Sequence, residues 1–284
     1  WANRALAERF GTTMEELIGM NCKDVWQHGK KCDDCILRKA LDTGSQKDGE
    51  TTSEYGTTWS IRAYPVKDAD EKIIGVVELC EDITERKHIT KKLEAAFEAL
   101  VRAASDIVSA KDPYTAGHQK SVSDLAVAIG KKMGLDDEIC TRLKVAGLLH
   151  DIGKISIPTE ILTRPVKLSD IEFSLIKEHS RNGYNILKNI DLPWPIADIV
   201  LQHHERLDGS GYPEGLKADG IRLESRIIAV ADVVEAITSH RPYRKALGIE
   251  FALNEIKKNS GRLYDPAVVE ACVQVFEDGY SLIG

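Results

Sequence analysis

The stretch "EICTRLKVAGLLHDIGK" (138–154) decides how the C-terminal part of the chain folds. Spacings of four, three and four residues place the following side chains on one helix face: Ile139, Leu143, Ala146 and His150. That face is apolar until His150, and Asp151 follows directly. A buried imidazole or carboxylate needs a polar partner, because burying it without one costs roughly several kcal/mol. The stretch therefore predicts a helix that brings a metal-capable pair into the interior.

Four further segments repeat this pattern. They centre on His118 (before Val122, Leu125 and Ile129), His179 (after Ile176, before Gly183 and Ile186), His203 (after Ile196 and Val200) and Asp232 (between Ile228 and Ala236). A single histidine on an apolar face is more often a hydrogen-bonded core residue than a ligand. Five helices that each deliver one polar group predict a shared metal centre. Imidazole and carboxylate donors without thiolate suit iron, manganese, zinc or nickel and do not choose among them.

The pair "HD" at 150–151 adds a carboxylate next to a histidine ligand. Asp151 has two oxygens and can bridge two metal ions about 3.5–4 Å apart, the spacing used to hydrolyse phosphate esters. A hydroxide activated by both ions is then the expected nucleophile. Lys154 follows one turn after His150. It either places a positive charge beside a phosphate oxygen or is a solvated helix end.

Composition narrows the class of protein. The 284 residues are 43% hydrophobic and 29% charged, as in a globular protein, and the net charge of −7 argues against broad DNA binding. Neither a membrane-spanning run nor a secretion leader is evident. Six cysteines do not make a disulfide scaffold in a chain of this length, so a cytoplasmic location is expected. The chain begins at Trp1 without a methionine, which leaves open that it is a fragment.

Residues 1–85 mix helical and strand-like pieces. Two β-runs, 59–65 and 73–80, are joined by the polar turn "KDADEK" and predict a hairpin. The junction "EDITERK" (81–87) that follows resembles the end of a PAS sensor domain. This resemblance implies an α/β module with a five-stranded antiparallel sheet that senses a small molecule, a redox change or a partner.

Residues 86–109 predict a connecting helix. Its apolar positions are spaced by four, three, four and three residues: Leu93, Phe97, Leu100, Ala104 and Ile107. This is an a/d pattern over about two heptads. Either the helix packs on its own domain, or it pairs with a second copy to form a homodimer through residues 89–108.

From residue 110 to 284 the chain predicts an all-α domain, which makes the whole protein α+β. "HDIGKISIP" (150–158) and "HHERLDGSGYP" (203–213) together resemble the HD-GYP phosphodiesterases of the HD metal-dependent phosphohydrolase superfamily. The resemblance implies hydrolysis of the bacterial second messenger cyclic di-GMP to pGpG or GMP with two divalent metal ions, iron or manganese being favoured. It implies as metal ligands His118, His150, Asp151, His179, His203, His204 and Asp232, with Asp151 and Lys154 as catalytic residues.

The same resemblance implies a substrate site. Its expected members are Lys154, Gly211, Tyr212, Pro213, Arg241 and Arg244, while Glu205 and Asp208 are expected to organise the loop as hydrogen-bond acceptors. Some family members have a glutamate four residues before the first histidine, which supports a third metal. Tyr114 stands there, so a third metal is in doubt. The alternatives are a receptor that binds the dinucleotide without turnover, or a phosphohydrolase acting on another cyclic nucleotide or dinucleotide.

A second candidate site lies in the first domain. Cys22, His28, Cys32 and Cys35 form the pattern C-x5-H-x3-C-x2-C. The C-x2-C pair has the spacing of a zinc or redox site, but no second such pair accompanies it. The pattern is consistent with ordinary thiols or with a metal or redox sensor, and the ligand of the sensor domain remains unidentified.

Overall fold

The fold was obtained as a computed structural model, which describes residues 2–21, 25, 35–53, 56–112, 117–164, 169–239 and 246–282. The chain divides into two compact units, Trp1–Ala96 and Phe97–Gly284. Among the described residues, no helix is at once long enough and apolar enough to cross a lipid bilayer.

The first unit combines helices with one antiparallel sheet. Its elements are α1 (Arg4–Phe10), α2 (Met14–Leu17), α3 (Ile36–Thr43), β1 (Lys47–Thr52), β2 (Thr58–Lys67) and β3 (Ile73–Asp82). The strand order is β1-β2-β3. The predicted hairpin is confirmed as β2 and β3. Strand β1 was not predicted, because "KDGETT" contains no apolar residue to show the two-residue period.

The sheet is smaller than the resemblance implied. Within the described ranges of this unit three strands are present, not five. The described elements ahead of β1 are the helices α1, α2 and α3, and local interactions favour them. Thr13 and Glu16, for example, form a reciprocal capping box that starts α2.

The core of the first unit lies on one face of β2. Trp59, Ile61 and Ala63 alternate with more exposed neighbours and are buried, as a strand with one covered face requires. Ala40 of α3 is fully buried as well. Helix and sheet thus share one small apolar core.

The "EDIT" junction is held by hydrogen bonds to the start of β2. The backbone N–H of Ile83 donates to the Thr58 carbonyl at 2.9 Å, and the Thr58 N–H donates to Thr84 Oγ1 at 2.8 Å. Asp82 Oδ1 accepts from the Thr84 N–H at 3.0 Å and so caps the next helix. Ile83 is buried, which fixes the point where strand becomes helix.

That helix, α4 (Thr84–Lys111), is continuous across the predicted connecting segment. Its apolar residues do not share one environment. Phe97 and Ala104 pack against the core of the second unit, and Phe97 makes an edge contact with Trp194. Leu93, Leu100 and Ile107 are 69%, 71% and 59% exposed. The a/d pattern therefore lies along the border between a packed face and an exposed apolar stripe.

The second unit is helical. After α4 come α5 (His118–Lys132), α6 (Asp137–Leu149), a 3-10 turn (Ile152–Ser156), α7 (Thr159–Leu162), α8 (Asp170–Leu187), α9 (Ile196–Gln202), a 3-10 turn (Ala218–Gly220), α10 (Leu223–Thr238), α11 (Ile249–Lys258) and α12 (Pro266–Glu277). Two isolated β-bridges are its extended pairings among the described residues. The all-α expectation is confirmed.

Side chains on the predicted apolar faces form the core of this unit. Fully buried members include Val122, Leu125 and Ile129 of α5, Leu143 and Ala146 of α6, Ile196 and Val200 of α9, and Ile228 of α10. One assignment was wrong. Ile186 is 39% exposed, and Leu187 is buried in its place because α8 presents the adjacent position to the core.

Glycines allow two pairs of elements in this unit to approach closely: the first 3-10 turn with α8, and α6 with α5. A Cβ at Gly153 would lie 1.9 Å from the His179 carbonyl oxygen, and one at Gly147 would lie 2.5 Å from Ser123 Cα. The 3-10 turn therefore packs directly against the α8 backbone. These contacts set the spacing between the segments that carry His150 and His179.

We predict that Gly153→Ala destabilises the second unit by about 1–3 kcal/mol, because backbone atoms cannot move aside as a side chain can. Gly220→Ala is the matched control: its Cβ would meet Leu216 at 3.7 Å, an ordinary contact. The control should change stability by less than about 0.5 kcal/mol. Calorimetry measures the Tm of both variants, and that of Gly153→Ala should be the lower. Equal Tm values would contradict the close packing at Gly153.

Candidate metal and catalytic site

Five helices and their ends bring the predicted ligands into one buried cluster. His118 begins α5, His150 and Asp151 follow α6, His179 lies in α8, His203 and His204 follow α9, and Asp232 lies in α10. All seven belong to groups whose ligand atoms lie within 4.8 Å of one another. These groups can hold divalent metal ions, so the predicted side chains are together in space.

Three of the histidines are oriented by the same type of hydrogen bond to their own helix. His150 Nδ1 donates to the Gly147 carbonyl at 2.8 Å, His179 Nδ1 to Ile176 at 2.7 Å, and His203 Nδ1 to Val200 at 2.5 Å. Each acceptor lies three residues earlier, at the end of the same helical turn. A carbonyl can only accept, so the proton is on Nδ1 and the Nε2 lone pair faces the cluster.

The His118 ring is oriented by a carboxylate instead of a backbone carbonyl. Its Nδ1 bonds Glu235, one helical turn after Asp232, and Ser239 Oγ donates to the other Glu235 oxygen at 2.7 Å. Glu235 is buried. This residue was not predicted from the sequence. Its position three residues after Asp232, on the inward face of α10, was the signal that could have identified it.

The cluster consists of two groups with Asp151 between them. One group is His118, His150 and Asp232; the other is His179, His203 and His204. Asp151 Oδ2 lies 3.4 Å from His150 Nε2 and 3.7 Å from His118 Nε2, while Oδ1 lies 3.5 Å from His179 Nε2. The two oxygens of one carboxylate therefore face different groups.

The donor atoms fit a cation. His179 Nε2 and His203 Nε2 lie 3.2 Å apart, although both rings have committed their Nδ1 protons elsewhere. Two lone pairs facing each other repel unless a cation lies beside them. His150 Nε2 is buried and has no hydrogen-bond partner within the described chain. A divalent metal would satisfy these nitrogens together.

Burial and neighbouring charges set the pKa values of the histidine ligands, and a metal binds the neutral imidazole. Burial and the neighbouring histidines hold the pKa of His203 and that of His204 well below the ordinary range, so both rings are neutral. Burial acts against charge on His118 too, but hydrogen bonds to Asp232 and Glu235 outweigh it and raise its pKa to about 9. A metal bound there would displace that proton.

Asp151 is kept ionised in the same interior. Burial alone would raise its pKa, but the positive charge of Lys154 and the contacts with His150 outweigh that effect and hold the pKa well below its usual range. Lys154 Nζ donates to Asp151 Oδ2 at 2.7 Å and lies 3.9 Å from Asp112. Its side chain is 14% exposed. Lys154 is therefore a paired, largely buried cation and not a solvated helix end.

The loop after α9 is organised by one buried carboxylate. Glu205 accepts from the N–H groups of Glu214 and Gly215 through Oε1, and from Leu216 through Oε2, at 2.8–3.2 Å. Asp208 accepts from Ser210. Both acidic residues organise the loop, as the sequence predicted. Gly211 is required because its Cβ would lie 2.4 Å from Glu205 Cα.

This loop places Tyr212 against the cluster. The Tyr212 ring lies 4.7 Å from the His204 ring at an interplanar angle of 31°. The backbone N–H of Tyr212 donates to the His204 carbonyl. His204 and Asp232 have side-chain exposures of 18% and 13%, higher than the other predicted ligands. The cluster therefore opens towards solvent on the side where Tyr212 lies, and Pro213 follows it in that loop.

Several predicted positions lie outside the described residues. They are Tyr114, Arg241 and Arg244 in the second unit, and Cys22, His28 and Cys32 in the first. Cys35 is described and half-buried, with a free thiol. The candidate sensor pattern therefore remains a prediction.

Among the proteins similar to part of this chain are three curated phosphodiesterases. A Thermotoga maritima protein named cyclic di-GMP phosphodiesterase is 42% identical over 58% of this chain and 45% of its own length. The cyclic di-GMP phosphodiesterase response regulator RpfG of Xanthomonas campestris is 40% identical (64% and 48% covered). The 3'3'-cGAMP-specific phosphodiesterase 3 of Vibrio cholerae is 36% identical (66% and 42% covered). The chain spans less than half the length of each.

Family models match both units. A PAS fold model matches residues 1–88, and an HD domain model matches residues 102–268, well over half of the chain. The resemblance drawn from "EDITERK", "HDIGKISIP" and "HHERLDGSGYP" is thereby confirmed. The chain belongs to the HD domain family and carries a PAS fold ahead of its HD domain.

Proposed function

We propose that this protein is a signal-regulated, metal-dependent phosphodiesterase that hydrolyses cyclic di-GMP to pGpG, GMP or both. The observation that carries the proposal is the position of Asp151, whose two oxygens face two separate histidine groups. One shared carboxylate between two metal positions suits phosphodiester hydrolysis. The names of the Thermotoga and Xanthomonas relatives support this substrate.

The proposed ligands of one ion are His118, His150 and Asp232, and those of the other are His179, His203 and His204, with Asp151 shared. Two divalent ions would supply Lewis-acid activation of water and of the scissile phosphate. We propose iron or manganese, because the imidazole and carboxylate donors admit either metal and the resemblance to the HD-GYP phosphodiesterases favours these two. A third metal is not part of the proposal, since Tyr114 offers no carboxylate.

The remaining roles fall to side chains around the cluster. Lys154 neutralises Asp151 and supplies a positive charge where a phosphate oxygen would lie. Gly211, Tyr212 and Pro213 form the wall beside His204. Arg241 and Arg244 are proposed to bind the second phosphate or a guanine edge of the substrate.

A second candidate substrate is 3'3'-cGAMP, which the name of the Vibrio relative supports. A receptor that binds without turnover is less well supported, because binding alone does not require a carboxylate whose two oxygens face two separate metal positions. Product chromatography with iron- or manganese-loaded protein separates the three possibilities. The proposal predicts pGpG or GMP from cyclic di-GMP; preferential cleavage of 3'3'-cGAMP, or binding without product, would contradict it.

Asp151→Ala should abolish turnover and sharply lower metal content, because one side chain faces both groups. Asp191→Ala is the control, since Asp191 is an exposed carboxylate between α8 and α9 and should leave both turnover and metal content unchanged. Elemental analysis of both proteins gives the answer. A variant lacking Asp151 that keeps two metals per chain and full activity would refute the shared role.

Lys154→Ala should retain the metals but slow hydrolysis by roughly 10²-fold or more, the size of one lost electrostatic contact in the transition state. Single-turnover rates and metal content are measured on the same sample. Unchanged rates would leave Lys154 with only a structural role beside Asp151.

We further propose three functional parts: a PAS-like sensor (1–85), a signalling helix (86–109) and a phosphodiesterase domain (110–284). The exposed stripe Leu93, Leu100 and Ile107 supports a homodimer through residues 89–108, because residues spaced by seven lie on one line of a helix. Cys22, His28, Cys32 and Cys35 remain the proposed sensor site. An intracellular messenger as substrate implies a cytoplasmic location.

Leu100→Glu should shift the protein towards monomer, since two carboxylates would then face each other in an apolar contact. Phe251→Glu is the control: it introduces the same charge at a 52% exposed position on α11. Size exclusion with light scattering reads out the mass. A monomeric wild type, or an unaltered dimer in the Leu100 variant, would reject the helix pair.

A further inference from the structure

One row of side chains on α8 lies beside the loop that carries Tyr212. Phe173, Lys177 and Arg181 are spaced by four residues and so are neighbours on the helix surface. Arg181 Nη1 pairs with Glu214 Oε1 at 3.1 Å, which ties the helix to this loop. The row therefore runs along the side where the metal cluster opens to solvent.

Lys177 occupies the centre of this row. Its Nζ lies 5.0 Å from the centre of the Phe173 ring and 5.3 Å from that of Tyr212. The Tyr212 ring in turn lies against His204. The ammonium group is thus one aromatic ring away from a proposed metal ligand.

The charge of Lys177 is available to an anion. Across the described ranges, no carboxylate lies within ion-pair distance of its Nζ, whereas Arg181 in the same row is paired with Glu214. Each of the two aromatic rings attracts an ammonium by about 0.5–1 kcal/mol at an exposed site, less than a charge-assisted hydrogen bond to a phosphate contributes. A phosphate can therefore compete for this cation.

Phe173 offers a flat apolar surface next to that charge. It is 48% exposed although its ring is large and apolar. Stacking of a nucleobase on an aromatic ring contributes about 1–3 kcal/mol. A cation and an exposed ring side by side match the two parts of a nucleotide, its phosphate and its base.

We propose that Phe173, Lys177 and Tyr212 form a subsite for the half of a cyclic dinucleotide that is not being cleaved. Lys177 contacts the second phosphate, and Phe173 stacks on a base. The inference rests on the proposed function and deepens it. A cyclic dinucleotide carries two phosphodiesters, so when one lies at the metal cluster the other extends to the side, where Lys177 offers a cation in addition to the proposed arginines.

A structural role for Lys177 makes a different prediction. If the lysine only covers Phe173 and Tyr212, its loss would disturb Tyr212 and affect every substrate equally. A small diester such as bis(p-nitrophenyl) phosphate has neither a second phosphate nor a purine base. Comparing the two substrates therefore separates binding in the subsite from support of the loop.

The test measures kcat and KM of wild type, Lys177→Ala and Phe173→Leu with cyclic di-GMP and with bis(p-nitrophenyl) phosphate. For Lys177→Ala, kcat/KM on the dinucleotide should fall about tenfold or more, the size of one charge-assisted contact, mainly through KM. The value on the small diester should stay within about twofold of wild type. Phe173→Leu should change in the same direction, and Lys177→Arg should restore most of the loss.

Lys188→Ala is the matched control. Lys188 Nζ lies 5.5 Å from the Tyr184 ring at the end of the same helix, about 16 Å further along the axis from Lys177. This variant should leave both substrates unaffected. Unchanged dinucleotide kinetics in Lys177→Ala, or an equal loss on both substrates, would overturn the subsite.

An error in the proposed function would give a different result from an error in the subsite alone. A wild type that cleaves the small diester but no cyclic dinucleotide contradicts the function. Titration calorimetry with cyclic di-GMP then decides the subsite separately. About tenfold weaker binding to Lys177→Ala than to wild type supports the subsite, and equal binding or no binding to either protein rejects it.

Discussion

Two imidazole nitrogens, His179 Nε2 and His203 Nε2, face each other at 3.2 Å in the buried cluster where five helices of the second unit meet. Both rings have given their Nδ1 proton to a helix carbonyl, so neither can donate to the other. The nitrogens can stay this close only beside a positive charge. A metal ion meets this requirement and also satisfies His150 Nε2, which is buried without a partner in the described chain.

The packing of the helices positions the groups around these nitrogens. The 3-10 turn after Asp151 touches the α8 backbone at Gly153, where a methyl group would not fit, and this brings Asp151 within 3.5 Å of His179. Lys154, on the same turn, compensates the buried carboxylate. Glu205 holds the following loop so that Tyr212 lies against His204. Packing, charge compensation and loop conformation thus act on the same cluster.

Much of this site could be predicted from the sequence, because each ligand interrupts an apolar stripe with helical spacing. His118, His150 and Asp232 were identified in this way, and the HD and GYP motifs added the family. Glu235 was missed: its position on the inward face of α10 indicates a buried partner, but the sequence does not show that this partner is His118, 117 residues earlier in the chain. Lys177 and Phe173 were missed for a similar reason. Their significance depends on Tyr212, which only the tertiary fold brings beside them.

The fold shows the same limits of local patterns. The hairpin of β2 and β3 was predicted from its alternating apolar residues, whereas β1 has none and was not. The apolar spacing of α4 predicted a helix correctly, but it could not tell which residues pack inside the unit. Phe97 and Ala104 do, and Leu93, Leu100 and Ile107 do not. The two faces are adjacent on one helix, so only the packing separates them.

We propose above all that Asp151 lies between two metal ions in one chain. Electron paramagnetic resonance of the manganese-loaded protein tests this most directly, because two ions sharing a carboxylate are magnetically coupled. The account predicts two manganese ions per chain and the spectrum of an exchange-coupled pair, which Asp151→Ala abolishes. One ion per chain, or the spectrum of isolated ions at full loading, would contradict it.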